Sequence, residues 1–413
     1  MATKRLDIYI DGQHAGTLIR TAEEEHIFRY REGYSGPPLS LTMPVRERDY
    51  VTMPLTPVLQ QNLPEGVLGD ALRRQFGKLT DLSDEFGMLT LVGACQIGWI
   101  QAVPPGSTPP PCGENGPPAD LDALLHTREE QPLQLFRELL RRFALYSGVS
   151  GTQPKLLVSD APGRLTFTTR HWIVKFQGAR EHYGIAVNEH LCLLAAARAG
   201  LPVPEHHISD DGRRLVVRRF DRTEAGEARM VEDFCTLQAL TTHGRYNGDY
   251  ADIVTAVRRY AANEHRHEAY ERLFASIVLS MLVRDGDAHR KNFALLYGRE
   301  MAPRLAPVFD KVTTTVYIAN DLPALRLDGR HEWPDRDALV RFGMRHCNLT
   351  QTKANRIIDR CAAAVSDTLD QFAELSDRGE VFDRTCERLR AAWLEGLQTS
   401  ACRPVQSRAA PSP

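Results

Sequence analysis

Arg284-Asp285-Gly286-Asp287-Ala288-His289-Arg290-Lys291-Asn292-Phe293 is the stretch on which the reading of the whole chain turns. Asp287 and Asn292 stand five apart, the D-x-x-x-x-N spacing at which, in phosphoryl transfer, an aspartate takes a hydroxyl proton and an asparagine holds a magnesium ion. Such a reaction is driven by positioning and charge neutralisation rather than by covalent help. It asks for a second carboxylate on the metal, and Asp310, in Leu305-Ala306-Pro307-Val308-Phe309-Asp310, is placed to supply it. Taken alone, so short a pattern also fits a plain loop followed by a turn. The order of parts upstream separates the two readings.

Trp172-Ile173-Val174-Lys175-Phe176 alternates as a strand, with Trp172, Val174 and Phe176 on one face. A lysine there is either an edge residue snorkelling to water or the partner of a buried carboxylate. In the helix predicted over 185–200, Glu189 shares the stripe of Ile185, Cys192, Leu193 and Ala196, so its carboxylate points inward and wants a cation. A strand lysine followed by a helix glutamate is the protein-kinase arrangement that holds the α and β phosphates of ATP. Two strands follow, over 206–208 and 215–220. The second leads into a hinge where backbone groups near Arg218 and Phe220 would bond adenine. His206 and His207 are strand neighbours that face opposite ways, which argues against a shared metal.

Ahead of the lysine strand lies Ser147-Gly148-Val149-Ser150-Gly151-Thr152-Gln153-Pro154-Lys155. Small residues before a strand suit a loop whose N–H groups approach phosphates, and equally a plain hairpin. The Walker pattern G-x-x-x-x-G-K-[ST] is absent.

At 413 residues, 42% hydrophobic and 25% charged, the chain has the composition of a globular protein of more than one domain. It has no apolar run of membrane-spanning length and no apolar core behind Lys4 and Arg5, so no secretory signal is expected and the cytoplasm is the expected location. The eight cysteines are scattered without a C-x-x-C pair, against both a zinc site and a disulfide framework. A net charge of -2 gives no general attraction for nucleic acid, leaving DNA contact to a local patch or a partner.

Residues 6–31 read as short strands with a turn at Asp11-Gly12, followed by helices over 68–76 and 84–92 and a strand over 97–103. Between Pro104 and Pro118 stand seven prolines and three glycines, marking a linker and the main domain boundary. A helix is expected over 133–144. Beyond Asp233 the pattern is mostly helical, with helices over 267–283, 336–347, 352–375 and 382–397. Asn348-Leu349-Thr350-Gln351-Thr352 looks like a helix-turn-helix joint but is read as lobe packing, because the flanking helices carry only ordinary basic charge. The tail past Thr399 reads as disordered.

Asn62-Leu63-Pro64-Glu65-Gly66, Ser150-Gly151-Thr152-Gln153-Pro154-Lys155, Arg219-Phe220-Asp221-Arg222, Glu232-Asp233-Phe234-Cys235, the Gly286–Phe293 stretch and the Leu305–Asp310 stretch, taken in this order, resemble the HipA family, the kinase toxins of bacterial toxin-antitoxin modules. The resemblance implies an α+β, bilobal, protein-kinase-like fold with an additional small N-terminal α/β subdomain and a mostly helical C-terminal lobe. The expected divisions are an N-terminal subdomain 1–103, a linker 104–128, an N-lobe with its phosphate loop 129–222, a helical C-lobe 223–398 and a tail 399–413.

The implied activity is ATP- and magnesium-dependent phosphorylation of protein serine or threonine. An aminoacyl-tRNA synthetase, glutamate-tRNA ligase first, is the implied target, with growth arrest as the result. The implied partner is a small helix-turn-helix antitoxin of the HipB type, with operator DNA reached through it. Carried onto this chain, Asp287 is the base, Asn292 and Asp310 are the magnesium ligands, and Ser150, Gly151, Gln153, Lys155, Lys175 and Glu189 serve the phosphates. Arg218, Phe220 and Phe309 lie toward adenine. Gly148 stands where the family usually has its self-phosphorylated serine, with Ser147 and Ser150 nearby. A small-molecule kinase would share this chemistry. A non-catalytic co-repressor would not need Lys175, Asp287, Asn292 and Asp310.

Overall fold

The computed structural model describes residues 4–65, 69–70, 72–73, 82, 84–111, 120–126, 165–177 and 182–402. The helix expected over 133–144 and the loop 147–155 lie outside these residues, as do most of 68–76 and the tail past 402.

An antiparallel sheet in the order β4-β3-β2-β1-β5 forms the first unit, from β1 (Lys4–Ile10), β2 (Gln13–Arg20), β3 (His26–Tyr30), β4 (Tyr50–Thr52) and β5 (Ile100–Val103). Asp11 and Gly12 both hold positive φ, 48° and 76°, the primed two-residue turn whose twist suits a hairpin. Leu6, Ile8 and Ile10 alternate onto the buried face with Leu18 and Phe28. Val58 and Leu59 of α1 (Pro57–Gln60) and Phe86 and Leu89 of α2 (Glu85–Val92) close over that core. Asp84 caps α2 by accepting from the Gly87 amide at 2.7 Å. The strand expected over 97–103 begins later. Gly98, at φ 90°, turns its amide away to bond Asp221 Oδ2 at 2.8 Å.

The stretch 104–128 is not linker throughout. Leu121–His126 forms a short helix, α3, with Leu124 buried and His126 Nδ1 2.8 Å from Asp210 Oδ2.

A second sheet, all antiparallel in the order β6-β7-β9-β8, comprises β6 (Leu165–Thr168), β7 (Trp172–Phe176), β8 (His206–Ile208) and β9 (Arg214–Arg218). Helix α4 (Ile185–Arg198) packs across β8 and β9. His206 and His207 face different neighbours, His190 and Trp172 respectively, as strand alternation requires.

The rest is helical around one small sheet of β10 (Met230–Asp233), β11 (Ala294–Tyr297) and β12 (Arg304–Leu305). Its helices are α5 (Phe234–Leu237), α6 (Tyr250–Tyr260), α7 (Asn263–Leu282), α8 (Arg336–Arg345), α9 (Gln351–Asp370), α10 (Phe372–Ser376) and α11 (Glu380–Ser400). Every residue of α7 from Leu273 to Leu282 is buried, so this helix is enclosed on all sides rather than amphipathic. Helix α11 crosses the end of α7 at Gly396, where a Cβ would stand 2.0 Å from the Leu282 carbonyl oxygen. The helix expected over 352–375 divides at Gln371, and the break sets Phe372 against Trp393 with ring centroids 5.2 Å apart. The joint at 348–352 packs within this lobe: Thr350 caps α9 by accepting from the Lys353 amide at 3.2 Å.

The first unit is seated on the β10–β12 sheet, and Met230 and Tyr297 belong to its core. Between them Glu232 is fully buried and accepts from Ser40 Oγ at 2.5 Å, the Leu41 amide at 2.9 Å and the Tyr297 hydroxyl. Burial raises its pKa against the pull of these donors. Cys192, Cys235, Cys347, Cys361 and Cys386 are buried free thiols. Among the described residues no helix is long and apolar enough to cross a membrane.

Candidate active site

The buried end of α7 aims the Asp287 loop. Arg284 takes φ 57°, ending the helix, and the Asp285 amide bonds back to the Ser280 carbonyl at 2.8 Å. Asp285 is wholly buried and makes an ion pair with Lys311 at 3.2 Å, while one of its oxygens accepts the Asp287 amide at 3.1 Å. Burial pushes the Asp285 carboxyl up to about 7 even with Lys311 beside it. The segment after Asp310 is stitched to the same loop: Thr314 Oγ1 accepts from the Gly286 amide at 2.7 Å, and the Thr314 amide donates to the Arg284 carbonyl at 3.0 Å. The two halves of the site are thus held by one buried network.

Asp287 emerges from it with a half-exposed side chain, and its Oδ1 accepts the Tyr246 hydroxyl at 2.6 Å. Asn292 closes a single helical turn, Arg290–Asn292, and its Nδ2 donates to the backbone carbonyls of Asp287 at 2.8 Å and Asp310 at 3.2 Å. With Nδ2 committed there, Oδ1 is the donor atom that remains for a cation. An amide oxygen and a carboxylate oxygen are hard ligands of the kind magnesium takes, and a phosphate and water would complete the shell. Asn292 and Asp310 therefore fit the metal they are expected to hold.

Lys175 and Glu189 come together as expected. Lys175 Nζ lies 2.6 Å from Glu189 Oε1 and 2.8 Å from Asp310 Oδ1, with Glu189 fully buried on α4. These groups open into a cavity of about 400 Å³ between the two lobes, a volume ordinary for a small-molecule site. Its apolar walls include Ile173, Val217, Phe220 and Phe309, the two rings 5.4 Å apart. Gln61, Asn62 and Ile97 of the first unit also line it.

Arg218 is not brought to this cavity. Its side chain is half-exposed, lies over the ring of Trp172 and faces Glu205 at 3.4 Å. Its amide donates to the Glu205 carbonyl at 2.8 Å, and the Arg219 amide to that of His171 at 2.9 Å, so neither is left for adenine. Ser150, Gly151, Gln153 and Lys155 lie outside the described residues.

Three features escaped the sequence reading. Tyr246 comes from a turn 41 residues before Asp287. Asp285 pairs with Lys311; the only hint was a lysine next to Asp310. Glu65 of the first unit reaches Arg245 at 2.6 Å and also Lys291, inside the Asp287 loop.

Residues 6–103 match the family model of the HipA N-terminal domain, and residues 147–369 that of the HipA-like C-terminal domain. The chain is 27% identical over 429 residues to Y4dM of Sinorhizobium fredii, spanning 94% of this chain and 91% of that protein. With Y4mE of the same bacterium it shares 25% over 417 residues, spanning 91% and 94%. Its fold matches a chain of the Shewanella oneidensis MR-1 complex of HipA, HipB and operator DNA with a TM-score of 0.70 at 19% identity, over 95% of this chain and 98% of that one.

Proposed function

We propose that this chain, which belongs to the HipA family, is the toxin of a toxin-antitoxin pair and a serine/threonine protein kinase dependent on ATP and magnesium. One observation carries the reading: a bonded chain runs from Lys175 to the Asp310 carboxylate, from the Asp310 carbonyl to Asn292, and from Asn292 to the Asp287 carbonyl. In this reading it links a phosphate-binding cation, two metal donors and a base, with Lys175 and Asp310 lining the cavity, which is the set of parts phosphoryl transfer needs. Y4dM and Y4mE, whose names give them provisionally as kinases, support the same class.

In this reading Lys175, steadied by Glu189, binds the phosphates, and Phe220 and Phe309 take the adenine ring. Asp287 accepts the proton of the attacking hydroxyl. A magnesium ion held by Asn292 and Asp310 would neutralise phosphate charge. The acceptor is an aminoacyl-tRNA synthetase, glutamate-tRNA ligase first, and its modification arrests growth in the cytoplasm. A HipB-like helix-turn-helix antitoxin neutralises the chain and carries it to operator DNA, since a net charge of -2 offers DNA little by itself.

The test is transfer of labelled phosphate from ATP to purified glutamate-tRNA ligase, read by phosphopeptide mapping. Wild type should label a serine or threonine. Asp287→Asn should lose at least about 10²-fold in rate while still binding ATP. Equal turnover by the two forms overturns the assignment of Asp287, and label found on a metabolite instead of protein overturns the substrate class.

A further inference from the structure

Behind the hinge, separated from the ATP-type cavity by the ring of Phe220 that lines both, lies a second cavity of about 400 Å³. Six arginines line it, Arg218, Arg219, Arg222, Arg229, Arg272 and Arg304, against two glutamates, Glu205 and Glu268. Two of the six are accounted for by the fold: Arg219 and Arg222 share Asp221 at 2.6 and 2.9 Å. The remaining carboxylates do less. Glu205 faces Arg218 at 3.4 Å and is shared with His207 at 3.0 Å, and Glu268 reaches Arg272 at 3.3 Å.

Arg272 is largely buried, and its Nε has no hydrogen-bond partner. Burial and the neighbouring Arg304 both lower its pKa. Arg229 and Arg304 have no carboxylate partner among the described residues. Arg218 and Arg304 are exposed, Arg229 is half-buried and Arg272 largely buried; like charges gathered around a concave place, the buried one above all, are unfavourable unless an anion joins them. The planar forks of arginine are matched to phosphate, and one or two of them satisfy a single phosphoryl group. Four that are weakly neutralised or unpaired ask for more than one. Apart from His265 the rest of the lining is apolar, with Pro202, Val203, Leu305 and Pro307, and suits an organic body.

We infer that this cavity is a binding site, distinct from the catalytic cleft, for a small molecule carrying two or more phosphoryl groups. It gathers residues from the hinge after β9, the approach to β10, helix α7 and strand β12, so its ligand would tie the hinge to the helical lobe.

The experiment is calorimetric titration of the full chain with sodium pyrophosphate at fixed ionic strength. The double variant Arg229→Gln, Arg304→Gln alters two side chains without ion-pair partners, so the fold is spared, and Lys175→Met reports on the catalytic cleft. Pyrophosphate should bind wild type and Lys175→Met alike, and the arginine variant roughly tenfold more weakly or worse. The proposal is overturned if pyrophosphate fails to bind, if Lys175→Met alone abolishes binding, or if the arginine substitutions leave it unchanged. It also fails if sulfate at equal ionic strength competes as well as pyrophosphate, which would mean general charge screening. Stronger competition by duplex DNA would assign the surface to nucleic acid instead.

Discussion

Asp310 Oδ1 lies 2.8 Å from Lys175 Nζ, and the same ammonium group stands 2.6 Å from Glu189 Oε1. The two carboxylates are unequal partners: Glu189 is 1% exposed and Asp310 36%. Lys175 therefore has one fixed counter-ion on the closed side of the cleft and another on the open side, where a nucleotide would enter. Phosphates arriving there would meet a lysine already oriented by Glu189, and Asp310, the more exposed carboxylate, would be the one free to turn toward a cation.

Asp310→Ala should accordingly abolish most of the magnesium-dependent gain in ATP affinity while the Lys175–Glu189 pair persists. Charge-assisted contacts are worth about 1.5–3 kcal/mol, so the loss should be roughly tenfold or more. Calorimetry with and without magnesium measures it. Unchanged affinity with unchanged metal dependence would make Asp310 a structural loop residue.

Asp285 predicts a pH dependence of stability. Its carboxyl is raised from 3.8 to about 7 in the folded chain, so between these values the folded state holds a proton that the unfolded state has lost. Stability from this group is complete below about pH 4 and declines as pH rises toward 7. At about 1.4 kcal/mol per unit, the fall is of the order of 4 kcal/mol. Asp285→Asn removes the titration and keeps the shape. The difference in unfolding free energy between wild type and variant, from denaturant titrations, should therefore shift against wild type across this window. A difference that stays flat from pH 4 to 7 refutes it.

Tyr246 places its hydroxyl where the acceptor's would have to be, donating to Asp287 at 2.6 Å. Burial, then the carboxylate itself, raises its pKa, so it stays a donor at neutral pH. In the proposed reaction a substrate hydroxyl would have to displace it. Tyr246→Phe should lower the KM for the protein acceptor, by up to about tenfold, with the ATP affinity and unfolding midpoint little changed. A large fall in kcat at unchanged KM would show instead that the phenol positions the base.

What was legible in the sequence follows physical range. Lys175 and Glu189 could be paired from periodicity alone, because a carboxylate on the apolar stripe of a helix must find a cation and the strand offered one. Asp287 and Asn292 were legible because their geometry is set within a single turn. Arg218 was misplaced because its role was taken from a kinase layout. Its amide, the backbone group that layout would offer to adenine, is spent on the Glu205 carbonyl instead. Tyr246 and the Asp285–Lys311 pair depend on how distant segments pack, for which the chain carries no local signal.

The remaining relationship joins the first unit to the catalytic loop. Glu65 accepts from Arg245 at 2.6 Å and from Lys291, the residue before Asn292. Burial opposes the charge on Glu65, but Lys291 and Arg245 outweigh it and hold the carboxyl below its ordinary 4.5. The contact is thus complete above that value and is lost as pH falls through the depressed one. Glu65→Gln keeps the side chain's size and removes its charge. Other contacts still seat the first unit, including Gln61 Nε2 donating to the Val231 carbonyl at 2.9 Å and the buried Glu232. The fold should therefore survive. Lys175 and Asp310 are untouched, so ATP affinity should not change. What loosens is the segment that positions Asn292, and kcat should fall a few-fold, in keeping with partly exposed pairs worth about 1 kcal/mol or less each. Salt supplies the deciding readout: screening should slow wild type at neutral pH and leave the variant, which has no carboxylate to screen, nearly unaffected. If raised salt slows both forms equally, the Glu65 pair is not what couples the first unit to the loop.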